Sequence, residues 1–195
     1  MSFLKEIILA SGSPRRQSLL KNLGLCFSTI STDIDESFLS DESPRDAVRR
    51  IARLKAERAI PVLKEDCILI TADTIVVLDG QVMGKPENGD DAFKMLMRLS
   101  GRCHEVITAI CLRTVGGYEV EEETTRVYFR SLCKEEILAY IASGEPVDKA
   151  GAYGIQGRGG LLVEKIEGCY FNVVGLPISR LYLMFKKHGV DLLEV

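Results

Sequence analysis

The spacing of apolar residues along the chain switches repeatedly between runs, alternation and helical periodicity. Glu6 to Ala10 (EIILA) is a short apolar run that predicts a buried strand. After Ser11-Gly12-Ser13, the segment PRRQSLLKNLG places Leu19, Leu20 and Leu23 on a helical stripe. Ser13 suits its N-cap, Pro14 its first position and Gly24 its exit. CFSTIST predicts a second strand, and the acidic loop TDIDESFLSDE follows it. Ser43-Pro44 opens a helix to about Ile60, with Val48, Ile51, Ala52 and Ala59 on one face. CILITADTIVVLDGQVMGKP reads as an apolar strand ending at Ala72-Asp73-Thr74, then a hairpin turning on Asp79-Gly80.

Further on, NGDDAFKMLMRLSG predicts a short helix with Met95 and Met97 as core residues. CHEVITAICLRTV and YEVEEETTRVYFR predict a long hairpin across Gly116-Gly117, and KEEILAYIASG another helix. EPVDKAGAYGIQGRGG reads as a glycine-rich loop, either open to a ligand or a tight connection. LLVEKIEG and CYFNVVG predict strands, and GLPISRLYLMFKKHG a closing helix. Strands and helices mix without strict βαβ alternation, which points to an α/β fold with a mixed sheet. No linker or repeat divides the chain, so residues 1–195 are expected to form a single domain.

Composition narrows the function classes. A formal charge of -3 and the absence of Trp leave no basic, aromatic-lined surface for nucleic acid. Six scattered cysteines without a CxxC pair, and only His104 and His188, argue against zinc and for reduced, mostly buried thiols. No apolar run is long enough for a signal peptide or a membrane span, so a cytoplasmic protein is expected.

The candidate chemistry lies in a few polar residues. Arg15 and Arg16 sit at a helix start, where the dipole disfavours cations. Either they point into water, or an anion docks on the SGS turn and the free helix N–H groups. Lys55 shares the apolar face of its helix, so its ammonium either snorkels outward or enters a cleft. Lys85 of GKP leaves a strand just before a proline. Asp73 ends an apolar run, where a carboxylate can bind a metal, act as a general base or cap a turn. Asp35 and Glu36 follow the second strand in the same way, or are solvated surface. His104 reads as a structural or surface histidine. Cations for phosphates, and carboxylates for a divalent metal and a water, are the parts that phosphate-ester hydrolysis requires.

These residues fall within a longer pattern. LASGSPRRQSLL, the DES of TDIDES, ITADTIV, GKP, LSGRCHEVITA, DKAGAYGIQGRGG and NVVGLP, in this order, resemble the Maf family of nucleoside triphosphate pyrophosphatases. The likeness runs from about Ile7 to Leu183; Cys169 departs from it, where a small polar residue is common. It implies an inosine-triphosphatase-like fold, an elongated mixed sheet with two lobes around a deep cleft. It implies hydrolysis of a nucleoside triphosphate to monophosphate and pyrophosphate with a divalent cation, Mg²⁺ or Mn²⁺. Carried onto this sequence, Asp73 is the proton acceptor, Ser11, Arg16, Lys55 and Lys85 hold phosphates, and Glu36 with Asp73 binds metal. Arg15, Thr74 and Gln156 match the branch acting on dTTP and UTP, with CTP and modified pyrimidine nucleotides as further substrates. The branch preferring 7-methyl-GTP usually carries Trp, Gln and Glu at these positions. The resemblance also implies a homodimer and a link with septum formation, so a nucleotide-binding regulator of cell division is the alternative reading.

Overall fold

In the computed structural model, residues 5–39, 41–62 and 67–194 are described. Met1–Leu4, from the segment read as too short for a signal peptide, and Ser40 of the acidic loop lie outside them. Strand β1 (Glu6–Ala10) pairs in parallel with β2 (Ser28–Ile30) and with β3 (Cys67–Leu78). β4 (Gln81–Met83) returns antiparallel on β3 through Asp79 and Gly80, both at positive φ, the two-residue hairpin that the Asp-Gly pair predicts. With β5 (Cys103–Thr114), β6 (Gly117–Phe129) and β7 (Val163–Glu167), the order is β2-β1-β3-β5-β6-β7, with β4 beside β3. Parallel and antiparallel pairs coexist, so the sheet is mixed, as the element order predicts.

The chain forms two compact units: residues 1–73, 108–123 and 175–195, and residues 74–107 and 124–174. The first holds β1, β2, α1 (Pro14–Asn22), α2 (Pro44–Ala59) and α6 (Ile178–Lys187). In α2, Ser43 caps the Asp46 N–H and Pro44 takes the first turn. Val48, Ile51, Ala52, Ala56 and Ala59 are fully buried on one face, and α2 lies against β1. Burial of a side chain such as Ile51 contributes about 1.5–3 kcal/mol. Successive residues of β6 divide their charges by the strand's two-residue period. Glu119, Glu121 and Glu123 pair with Lys187 and Arg180 of α6 and with His188 just after it, while Glu122 pairs with Arg45 and Arg49 of α2.

α1 departs from its predicted stripe. Leu19 and Leu20 are buried, but Leu23 is exposed and Leu25 takes the inner position. The reason is a Schellman end: Gly24 is left-handed, its N–H reaches the Lys21 carbonyl, and the Leu25 N–H returns to Leu20. That reversal carries Leu25 back to the core.

The second unit packs α3 (Gly89–Leu99) and α4 (Lys134–Ala142) around a core that includes Val76, Leu96, Phe129, Ile137 and Tyr153. α3 buries Ala92, Leu96 and Leu99, an i, i+4, i+7 face. Met95 packs partly against that core, but Met97, about 100° further round the helix, is exposed, contrary to expectation. CYFNVVG is not a strand: Tyr170–Val174 form helix α5. Gly168, at φ +129, ends β7, and the Thr125 hydroxyl takes both the N–H and the carbonyl of Cys169. The Asn172 amide then donates to the Val106 carbonyl and Thr125 Oγ1, so side chains replace the ladder. A segment of five mostly apolar residues cannot by itself distinguish the two periods. The glycine-rich segment is a series of 3-10 turns, Glu145–Asp148, Ala150–Ala152 and Gly157–Leu162, and not an irregular loop.

Of the cysteines, all free, only Cys67 and Cys111 are buried, so the expectation of mostly buried thiols fails. Those two lie inside the sheet, whereas Cys26 and Cys133 lie between elements and Cys103 begins a strand. Among the described residues no helix is long and apolar enough to cross a membrane.

His104 is structural and buried, its Nε2 2.7 Å from the Tyr153 hydroxyl, with Phe129 edge-on at 5.1 Å. Burial lowers its pKa from the ordinary 6.5 to about 4. Between those values the unfolded chain takes up a proton that the folded chain refuses. Stability from this group is intact above the unfolded pKa and falls as the pH drops towards the folded one, by about 3 kcal/mol in total. In His104→Phe this slope disappears, so the urea midpoint falls less between about pH 7 and about pH 4.5 than in the wild type. Equal acid sensitivity in both proteins would contradict the assignment.

Candidate active site

Within the first unit, the turn after β1, helix α2 and strand β3 bring buried polar groups together. β1 ends in the turn Ser11-Gly12-Ser13, where Ser11 Oγ accepts the Ser13 N–H at 3.2 Å. Ser13 is the N-cap of α1, with no side-chain capping bond and no acidic residue in the first turn. Arg16 turns inward from that turn and is buried. Its Nε donates to the Gly175 carbonyl at 2.7 Å, and Nη1 to the Ala72 carbonyl at 2.8 Å and Ser11 Oγ at 3.3 Å. Burial pushes its pKa down, and the nearby Asp73 carboxylate opposes that. Arg15, the preceding residue, is half-buried.

Lys55 does not snorkel. It is 8% exposed, and its Nζ lies 2.7 Å from Asp73 Oδ1 and 2.7 Å from Glu36 Oε1. Asp73 is 9% exposed and lies inside β3, which continues to Leu78, so it does not end its strand as expected. The strand continues because Thr74 to Leu78 have the β-branched apolar character of the first half and pair onward with β4. The Asp73 carboxylate meets an ammonium from α2, which replaces the turn-capping alternative.

The register of this pair comes from a residue that the sequence reading passed over. Thr71 Oγ1 donates to the Ala52 carbonyl at 2.6 Å, buried. Thr71 and Asp73 share a strand face at i, i+2, and Ala52 and Lys55 share a helix face at i, i+3. One bond therefore sets the next pair opposite each other. The spacing was visible in the sequence, but which helix turn faces which strand residue was not.

The acidic loop divides its labour. Asp35 Oδ1 accepts the Ser37 N–H at 2.9 Å, and this backbone bond holds the Asp35 carboxyl below its usual pKa. Asp35 shapes the turn, and Glu36, half-exposed, reaches Lys55. Among the described residues no three His, Cys, Asp or Glu side chains gather as a metal cage. Asp73 and Glu36 are two carboxylates already held at one cation. Such a pair suits Mg²⁺ or Mn²⁺, which keep waters and share their coordination with substrate phosphates.

The other predicted site residues belong to the second unit. Thr74 is half-buried in β3, and Lys85 and Gln156 are exposed. The Gly151 N–H donates to the Gly84 carbonyl at 2.9 Å, tying the segment of Lys85 to the glycine-rich turns. Those turns are tightly packed: a Cβ on Gly159 would lie 2.1 Å from the Gly154 carbonyl oxygen. The Glu145 carboxylate accepts the N–H groups of Arg158 and Gly159 and fixes the curve that follows Gln156.

Residues 6–188 match the family model described as Maf-like protein. The chain belongs to the Maf family. This Maf chain is 56% identical to a dTTP/UTP pyrophosphatase of Syntrophomonas wolfei, over 95% of its own length and 99% of the relative's. It is 50% identical to a dTTP/UTP pyrophosphatase of Alkaliphilus metalliredigens, over 95% and 97% of the two chains. Among solved structures, the Staphylococcus aureus Ham1 protein aligns at 18% identity and a TM-score of 0.46, over 64% of the Maf chain and 72% of that one.

Proposed function

We propose that this Maf protein hydrolyses nucleoside triphosphates, dTTP and UTP ahead of others, to the monophosphate and pyrophosphate in the cytoplasm, with the whole chain acting as one catalytic domain. The observation that carries the reading is the buried Lys55 ammonium, 2.7 Å from one carboxylate of a strand and from another of the acidic loop. Nearly full-length identity to relatives that bear this activity in their names supports the substrate class.

The chemistry follows from these groups. Asp73 takes the proton of a water as its oxygen attacks the α-phosphorus. The α–β bridging bond breaks, and pyrophosphate leaves with the electron pair. Lys55 and Lys85 carry charge to the phosphates, where negative charge accumulates on the leaving group. Arg16 holds the Ser11 turn and the Ala72 carbonyl in place, next to the base, and contributes its positive field to phosphate binding. A divalent cation, when held by Asp73 and Glu36, neutralises phosphate charge and acidifies water. Gln156, with Arg15 and Thr74, reads the base, since an amide offers one donor and one acceptor edge to match uracil or thymine.

Pyrophosphate release from a panel of nucleotides, with and without Mg²⁺ or Mn²⁺, tests this. dTTP and UTP should turn over at least about tenfold faster than GTP, because a mismatched base leaves the polar groups that it covers unpaired. Nucleotide binding without turnover in any metal would instead favour a regulator of cell division. Equal rates for GTP and dTTP would remove the base assignment.

A further inference from the structure

In the core of the second unit, His104 presents a puzzle of polarity. It lies in β5 among apolar side chains, and edge-on ring contacts link it to Phe129 and Tyr153, which also contact each other at 4.7 Å. Its Nε2 meets the Tyr153 hydroxyl at 2.7 Å, but its buried Nδ1 has no hydrogen-bond partner among the described residues. A Phe–Phe or Phe–Leu pair would fill this space without an orphaned nitrogen, so the polar pair requires a reason.

The backbone beside Tyr153 supplies one. Gly151 and Ala152 both have positive φ, +68° and +59°, and Ala152 is one of only two non-glycine residues so placed among those described. Such a conformation persists only where the surroundings over-determine it. Gly151 is held from outside by the Gly84 carbonyl, and it is pressed against Val76, 3.0 Å from where a Cβ would stand. Tyr153 follows at once, and its ring and hydroxyl are seated on two strands through Phe129 and His104. Three residues later the chain presents Gln156 to solvent.

We propose that His104 is a positioning residue: its bond to Tyr153 pins the strained turn 151–152 to the sheet and so sets where Gln156 stands to read the nucleotide base. This rests on the reading of Gln156 as a base reader. Burial keeps the imidazole neutral at physiological pH, so the bond does not vary with pH in that range.

The test is the ratio of kcat/KM for dTTP to that for GTP in Tyr153→Phe, His104→Phe, His104→Gln, the double Phe variant and Gln156→Ala. A merely structural role lowers the folded fraction, which scales both nucleotides alike and leaves the ratio unchanged. If His104 positions the reader, Tyr153→Phe and His104→Phe each reduce the ratio by roughly fivefold to tenfold, the worth of one neutral hydrogen bond. The change should appear mainly as a higher KM for dTTP, the double variant should be no worse than either single one, and His104→Gln should recover part of the loss. An unchanged ratio in both Tyr153→Phe and His104→Phe overturns the proposal, whatever Gln156→Ala does. A ratio lowered in those two but unchanged in Gln156→Ala removes Gln156 as the reader while leaving the clamp standing.

Discussion

Asp73→Asn is expected to lower dTTP turnover by at least about 10²–10⁴-fold, the usual worth of a general base, with folding preserved. Asparagine has the same shape, and its Oδ1 can still accept from Lys55 Nζ, 2.7 Å away. The variant therefore keeps the bond that joins α2 to β3 but cannot take a proton from water. Initial rates of pyrophosphate release, read beside urea midpoints, separate the two effects. Turnover within a few-fold of wild type would show that another group accepts the proton.

Lys55→Met is the second large effect, and it acts on activity and stability together. Removing a charge donor aimed at developing negative charge commonly costs about 10²–10³-fold in kcat. It also leaves Asp73 and Glu36 facing each other without the ammonium they share. Breaking a buried pair from one side costs about 3–5 kcal/mol, and the half-exposed Glu36 and nearby Arg16 place this one towards the lower figure. The same two carboxylates become a better home for a divalent cation once their resident cation is gone. Mg²⁺ or Mn²⁺ without nucleotide should therefore raise the melting temperature of Lys55→Met more than that of the wild type. Equal shifts in the two proteins would argue that the carboxylates are not the metal ligands.

Several elements could be read directly from spacing. The stripe of α2 and the Asp79-Gly80 hairpin follow from residue order, because each depends on neighbours a few positions apart, and the irregular order of strands and helices pointed to a mixed sheet. Where a local pattern was ambiguous, a distant group resolved it. Thr125 and Val106 turned CYFNVVG into a helix, and the Schellman reversal exchanged Leu23 for Leu25 in the core. Asp73 was legible as an unusual carboxylate after an apolar run, but its place inside a longer strand depended on the pairing of β3 with β4.

The amino-acid order alone determined the kinds of chemistry present: carboxylates and cations in an acidic, tryptophan-free chain, carried in the motifs of a family. Only the tertiary structure decided which charges meet. Lys55 and Asp73 are 18 residues apart, and they meet where the Thr71 hydroxyl also joins the same strand to the same helix. The inward turn of Arg16 likewise depends on carbonyls 56 and 159 residues away along the chain. Local periodicity describes which face a residue occupies, but the rotation and offset between two packed elements are collective results of the whole core, and the geometry of the site is made of those offsets.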